Sequence, residues 1–148
     1  MPSVSMALPF EPTPKGRPIF KARYNKVLAI TPPKTKAFES QVAFYYRGAA
    51  DGYTFPKGTP ITVSIEFGMR IPASTTKKRR EAMLKGEIHH CIKPDIDNLT
   101  KAVLDGLNGV AWYDDSQITE LHILKRYVQS PNIYITIHET DKKTMGAI

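Results

Sequence analysis

Apolar and polar residues alternate without a fault from Ile61 through Val63, Ile65 and Phe67 to Met69, and this two-residue period predicts a half-buried strand. Val4, Met6 and Leu8 repeat the pattern in miniature near the N-terminus. Two more strands are predicted around Ile118–Tyr127 and Ile133–His138, divided by the turn residues Ser130, Pro131 and Asn132. At Phe38, Val42, Tyr45 and Ala49 the period becomes helical, with Thr31-Pro32-Pro33 as the start and Asp51-Gly52 as the end. Ser74 is placed to cap a short basic helix that closes at Lys85-Gly86. A further apolar helical face runs through Ile96, Leu99, Val103 and Leu107 and stops at Asn108-Gly109. Between the first strand and the first helix, Pro9, Pro12, Pro14, Gly16 and Pro18 break both periods. That stretch is expected to be a loop or arm, with at most a short extended piece at Val27–Ile30. The order is roughly β-α-β-α-α-β-β, which makes the fold class α+β, a small mixed β-sheet packed against helices. No repeat or low-complexity tract divides the chain, so residues 1–148 read as one domain, with Thr140–Ile148 expected to fray.

Composition narrows the setting. A chain of 148 residues with 41% hydrophobic and 24% charged residues can bury one core without staples. Cys91 is the only cysteine, which excludes an intrachain disulfide and points to a reducing, cytoplasmic location. Met1–Pro12 has no basic residue ahead of an apolar run, and no stretch approaches a membrane span, so no membrane partner is expected.

The net charge of +7 is unevenly placed. Seven basic residues and no acid lie from Lys15 to Lys36 (Lys15, Arg17, Lys21, Arg23, Lys26, Lys34, Lys36), and a second basic run extends from Arg70 to Lys85. From Lys93 to Glu120 the balance reverses, with Asp95, Asp97, Asp105, Asp114, Asp115 and Glu120 against Lys93 and Lys101. Basic arms around an acidic centre suit a protein that attracts phosphates and handles them through bound cations. A merely solvated basic surface is the competing reading of charge alone.

The segment Lys93-Pro94-Asp95-Ile96-Asp97-Asn98-Leu99-Thr100-Lys101 carries the chemistry. Residues two apart on a helix point apart, so Asp95 and Asp97 converge only if the helix begins between them. Pro94 fits such a boundary. Asp97 and Lys101, four apart, share a helical face. A helix from Asp97 to Asn108 travels about 18 Å, and the residues from Gly109 to Asp115 span up to about 23 Å; the chain is long enough to return Asp115 to the helix start. Carboxylates without histidine or thiolate partners suit Mg²⁺ or Mn²⁺.

Other readings compete for these residues. Asp95 and Asp97 can simply cap the helix, with Lys101 as an i,i+4 partner. An EF-hand beginning at Asp95 fails, because Leu99, Thr100 and Gly106 stand where an oxygen ligand, a glycine and a glutamate belong. An aspartyl-phosphate enzyme needs its Asp-x-Asp after an apolar strand, and His89-His90-Cys91-Ile92-Lys93-Pro94 is a poor match. Three adjacent residues cannot readily share one tetrahedral ion, which argues against zinc at His89-His90-Cys91. A phosphate contact by His89 or His90 stays open. Trp112 and Tyr113 can stack on an unpaired base or serve the core, and Asp105 is expected on a solvated helix face.

Lys93-Pro94-Asp95-Ile96-Asp97-Asn98-Leu99, then Lys101-Ala102-Val103-Leu104-Asp105, then Trp112-Tyr113-Asp114-Asp115-Ser116-Gln117 together resemble the signature of RusA-type endonucleases. Pro14-Lys15-Gly16-Arg17-Pro18 and Lys34-Thr35-Lys36-Ala37-Phe38-Glu39 resemble further segments of that family, although Ile19-Phe20 departs from its usual arginine and aromatic. The resemblance implies that Asp95, Asp97 and Asp115 are catalytic, metal-binding carboxylates and that Lys101 is a catalytic lysine. Lys101 either neutralises charge on the reacting phosphate or orients Asp97 through an ion pair. Mg²⁺ is the implied cofactor, with Mn²⁺ as a substitute, and four-way or branched DNA the implied partner of a homodimer. Lys15, Arg17, Lys34, Lys36 and Lys93 are the candidate nucleic-acid contacts. The expected function is resolution of Holliday junctions by paired nicks in DNA recombination and repair. A broader branched-DNA or flap nuclease, or a non-catalytic basic DNA-binding protein, are the alternatives.

Overall fold

The computed structural model describes residues 2–142. Its elements are β1 (Ser3–Leu8), β2 (Ile19–Arg23), β3 (Lys26–Ile30), α1 (Pro33–Ala50), β4 (Ile61–Arg70), α2 (Lys77–Leu84), α3 (Ile96–Leu107), β5 (Ile118–Val128) and β6 (Asn132–Glu139). Four strands form a mixed sheet in the order β1-β6-β4-β5. β6 is antiparallel to both β1 and β4, while β4 and β5 are parallel. A parallel pair needs a long crossover, and α2 and α3 supply it. The expected α+β class with a small mixed sheet is therefore the observed one.

Alternation decides what the sheet buries. Ile61, Val63, Ile65 and Phe67 of β4 join Ile133, Ile135 and Ile137 of β6 and Val4, Met6 and Leu8 of β1 in one core with residues of α1 and α3. The two helices meet closely: a Cβ at Gly106 would lie 3.0 Å from the Val42 side chain and 3.1 Å from the Glu39 carbonyl oxygen. Only a residue without a side chain permits that approach, and it fixes α3, whose N-terminus carries the acidic motif.

Four expectations need correction. The buried face of α1 is Thr35, Phe38, Val42, Ala43 and Tyr46; Tyr45 is half-buried and Ala49 exposed. Tyr46 is tied inward because its hydroxyl donates to the Tyr53 carbonyl at 2.6 Å, and burial pushes its pKa up to about 12. The cap of α2 is Thr76, whose hydroxyl accepts from the Arg79 amide at 3.3 Å, and not Ser74, which lies in the turn closed by the Thr75 amide and the Pro72 carbonyl. β3 contains the extended piece expected at Val27–Ile30, but the arm holds more order than that. After Pro18 no proline follows until Pro32, and β2 and β3 pair there as a hairpin. Thr140 does not fray, since its amide donates to Pro60 at 2.8 Å and its hydroxyl meets those of Thr62 and Thr119; residues 143–148 lie outside the described residues.

Candidate active site

α3 begins between the two aspartates. Asp95 is its N-cap, with an extended backbone (φ −68°, ψ 144°), and Asp97 stands in the first turn. Both carboxylates sit at the positive end of the helix dipole. Asp97 Oδ1 accepts from the Asn98 amide at 2.9 Å. Asp95 Oδ2 pairs with the Lys93 ammonium at 3.1 Å, across the cis Lys93–Pro94 peptide.

Asp115 opens a short 3-10 turn, Asp115–Gln117, and each neighbour has a separate job in presenting it. Gln117 is buried: its Oε1 accepts from the Tyr113 and Asp114 amides (2.9 and 3.2 Å), and its Nε2 donates to the Pro56 and Thr59 carbonyls (2.9 and 3.0 Å). Asp114 caps the turn by accepting from the Ser116 amide at 3.0 Å, and hydrogen bonds from Ser116 hold its carboxyl below the ordinary carboxylate range. Asp115 Oδ1 accepts from the indole N–H of Trp112 at 2.8 Å, and that ring is fully buried. Trp112 thus serves the core and fixes a carboxylate at once. The sequence left base stacking and core packing open for Trp112 and did not suggest this bond, although a buried indole N–H demands an acceptor.

Among the described residues, no group of three His, Cys, Asp or Glu lies close enough to hold one metal ion, so a single chain does not gather Asp95, Asp97 and Asp115 into a finished cage. The donors themselves fit a hard divalent cation. Each carboxylate has one oxygen held by the chain and a second without a protein donor among the described residues, and oxygen ligands suit Mg²⁺ or Mn²⁺. Lys101 is exposed, and no ion pair joins it to Asp97 or another acid among the described residues.

The candidate DNA contacts divide. Arg17, Lys34, Lys36 and Lys93 are exposed. Lys15 is clamped instead, 2.9 Å from Asp105 on α3 and 3.3 Å from Glu39 on α1. Burial pulls its pKa down, but the two carboxylates outweigh that and leave it raised. Asp105 consequently has a partner within the fold, not the solvated face expected of it. Lys15, Lys34, Lys93, Asn98 and Asp95 line one groove of about 630 Å³. A second, of about 670 Å³, is lined by Ile92, Lys93, Asp95, Asp97 and Lys125.

Lys125, on β5, was not anticipated. Its ammonium donates to the Ile92 and Pro94 carbonyls, both at 2.8 Å, and so braces the segment that delivers Asp95. The signal was present: Lys125 shares the two-residue period of Ile123 and Tyr127, and a lysine on a core-facing period needs acceptors. Nearby His90 is buried, packs edge-on against Tyr127 with ring centroids 4.9 Å apart, and leaves its Nδ1 unpartnered among the described residues. Cys91, next to it, is exposed.

His90 supplies a pH prediction. Burial, and then the Lys125 charge, hold its pKa below the ordinary 6.5. The unfolded chain takes up a proton before the folded one does. Stability is therefore full above about pH 6.5 and declines as acid is added below it. Thermal unfolding measured between about pH 7 and pH 5 should fall more steeply for wild type than for His90→Gln. Parallel curves would remove His90 as a source of acid sensitivity.

Carboxylate oxygens open at a helix start, beside exposed cations and two grooves, are chemistry suited to phosphodiesters. The chain belongs to the RusA endodeoxyribonuclease family: the family model described as Endodeoxyribonuclease RusA matches residues 9–138. That match takes in the basic arm, both acidic elements and Lys125. The chain is also 33% identical over 129 residues to the uncharacterized protein YqaN of Bacillus subtilis (strain 168), covering 87% of this chain and 91% of that protein. It is thus an enzyme that hydrolyses DNA phosphodiester bonds, from a family that acts on branched DNA. No helix among the described residues is long and apolar enough to cross a membrane.

Proposed function

We propose that this chain, as one domain, is a divalent-metal-dependent resolvase of four-way DNA junctions, working in the cytoplasm as a homodimer in recombination and repair. The observation that carries the reading is the set of three carboxylates, each with one oxygen tethered and one open, on a chain whose family match spans the whole motif. Asp95, Asp97 and Asp115 would hold Mg²⁺, with Mn²⁺ as a substitute. The bound cation supplies an acidified water and charge stabilisation at the phosphate. The chain's own part is positioning. Asn98 and Trp112 fix the angles of Asp97 and Asp115. Lys101, exposed and on the face of Asp97, offers its ammonium to charge developing on the phosphate or the leaving oxygen. Arg17, Lys34, Lys36 and Lys93 contact backbone phosphates, while Lys15 holds the arm's root. Two sites are needed for symmetric nicks, and two-fold pairing of this chain supplies them.

Cleavage of a synthetic four-way junction, a flap and a linear duplex, with and without Mg²⁺, tests the proposal. The expected result is metal-dependent nicking of the junction in opposed strands. Preference for the flap would redefine the substrate, and binding without cleavage would leave a non-catalytic DNA-binding protein.

A further inference from the structure

Every residue of β2 and β3 is exposed, the apolar ones included, with Phe20 at 68% and Val27 at 71%. In-register pairing sorts their side chains. Phe20 stands opposite Ala29 and Ala22 opposite Val27, so one face of the ribbon is apolar throughout. The other face carries the pairs Ile19–Ile30, Lys21–Leu28 and Arg23–Lys26, with its cations toward the tip. A two-stranded ribbon standing alone is marginal in water, so these faces await a partner.

The ribbon is rooted at the active site. The Lys15 amide donates to the Asn98 carbonyl at 3.1 Å, and the Gly16 amide to the Thr35 hydroxyl at 2.9 Å. A Cβ at Gly16 would meet that hydroxyl at 2.7 Å, so the close approach depends on glycine. Pro14 and Lys15 line the same groove as Asp95. At the far end, Tyr24 (φ 51°) and Asn25 (φ 60°) form a tight turn in left-handed backbone. Glycine or asparagine is usual there and a bulky residue is disfavoured. Tyr24 is nevertheless 87% exposed, with the Arg23 guanidinium set over its ring, 5.7 Å from the centroid.

Between Glu11 and Glu39 the chain has seven basic residues and no acid, a charge complementary to a polyanion. A polyanion that also offers flat apolar surface is DNA with bases out of the stack. We infer that the β2–β3 ribbon selects branched over linear DNA. Its cationic face follows phosphates, and Phe20 and Tyr24 stack on bases freed at the branch point. This deepens the nuclease reading and rests on it.

The test uses the Asp97→Asn protein and a four-way junction with 2-aminopurine at the branch point, so that fluorescence reports unstacking without cutting. Fluorescence should rise on binding. Adding Phe20→Ala and Tyr24→Gly should abolish the rise and reduce the preference for junction over linear duplex roughly tenfold. Binding to linear duplex should change little. Tyr24→Gly suits the turn better than tyrosine, so the thermal midpoint of that single variant should stay level or rise, separating recognition from folding. Retention of the rise and of the preference in the combined variant would overturn the inference. So would its sedimentation as a smaller species than the parent, which would make a second copy the occupant of the apolar face. None of these readings requires cleavage, so the nuclease reading is judged separately by the cleavage panel.

Discussion

Asp97→Asn should lower junction cleavage by roughly a thousandfold or more while leaving binding intact or tighter, and Asp95→Asn and Asp115→Asn should do the same. Each substitution keeps the side chain's size and removes one negative charge. The tethering bonds survive in form: an amide oxygen can still accept from Asn98 at position 97 or from Trp112 at position 115. The change therefore falls on the open oxygen, where a cation would sit. The two effects have opposite signs because a carboxylate without its cation repels the phosphate it is meant to attack. Cleavage and gel-shift assays on the same preparations, in saturating Mg²⁺, give both. A variant with near-normal cleavage would remove that residue from the metal-binding set. A variant that loses binding as well as cleavage would mark its carboxylate as part of the fold.

Much of this site was legible because its elements are short-range. Pro94 before Asp95 set the helix boundary, and the boundary alone lets residues two apart share one end of a helix. Asp114-Asp115-Ser116-Gln117 was recognisable as a unit, but its division of labour was not. That Asp114 caps and Asp115 faces the indole rests on the near neighbours Ser116 and Trp112, whereas Gln117 is an anchor only because the folded chain brings Pro56 and Thr59 to it.

The misses share this character. Lys15 looked like a free cation in a basic run, yet Glu39 and Asp105, far away in sequence, claim it. β2 went unseen, and β3 showed only as a short extended piece, because both strands are exposed throughout and have no buried face to enforce alternation. The face of α1 drifted from Tyr45 to Tyr46 because the Tyr53 carbonyl draws that hydroxyl inward. Local patterns set the elements, while long-range polar partners chose among residues with equal claims.

Lys125 makes the sharpest test of such a partner, because its two possible roles predict opposite shifts in metal dependence. Its ammonium donates to the Ile92 and Pro94 carbonyls on either side of Lys93, one residue short of Asp95. Lys125→Met keeps most of the stem and removes both bonds, releasing the segment that aims the Asp95 carboxylate. Positioning groups around metal sites commonly change activity or metal affinity by about 10–100-fold. Lys125→Met should accordingly cut junction nicking by about that factor and raise the Mg²⁺ concentration needed for half-maximal rate. Lys125→Arg, which can still donate to two carbonyls, should recover part of both losses. If Lys125 acted only as a positive charge beside the carboxylates, its removal would favour the cation and lower the half-saturating Mg²⁺. If it served only the fold, the thermal midpoint would fall while the metal dependence held still. A Mg²⁺ titration of the three proteins, read alongside their melting curves, distinguishes these cases, and only a rightward shift relieved by arginine supports a bracing role for Lys125.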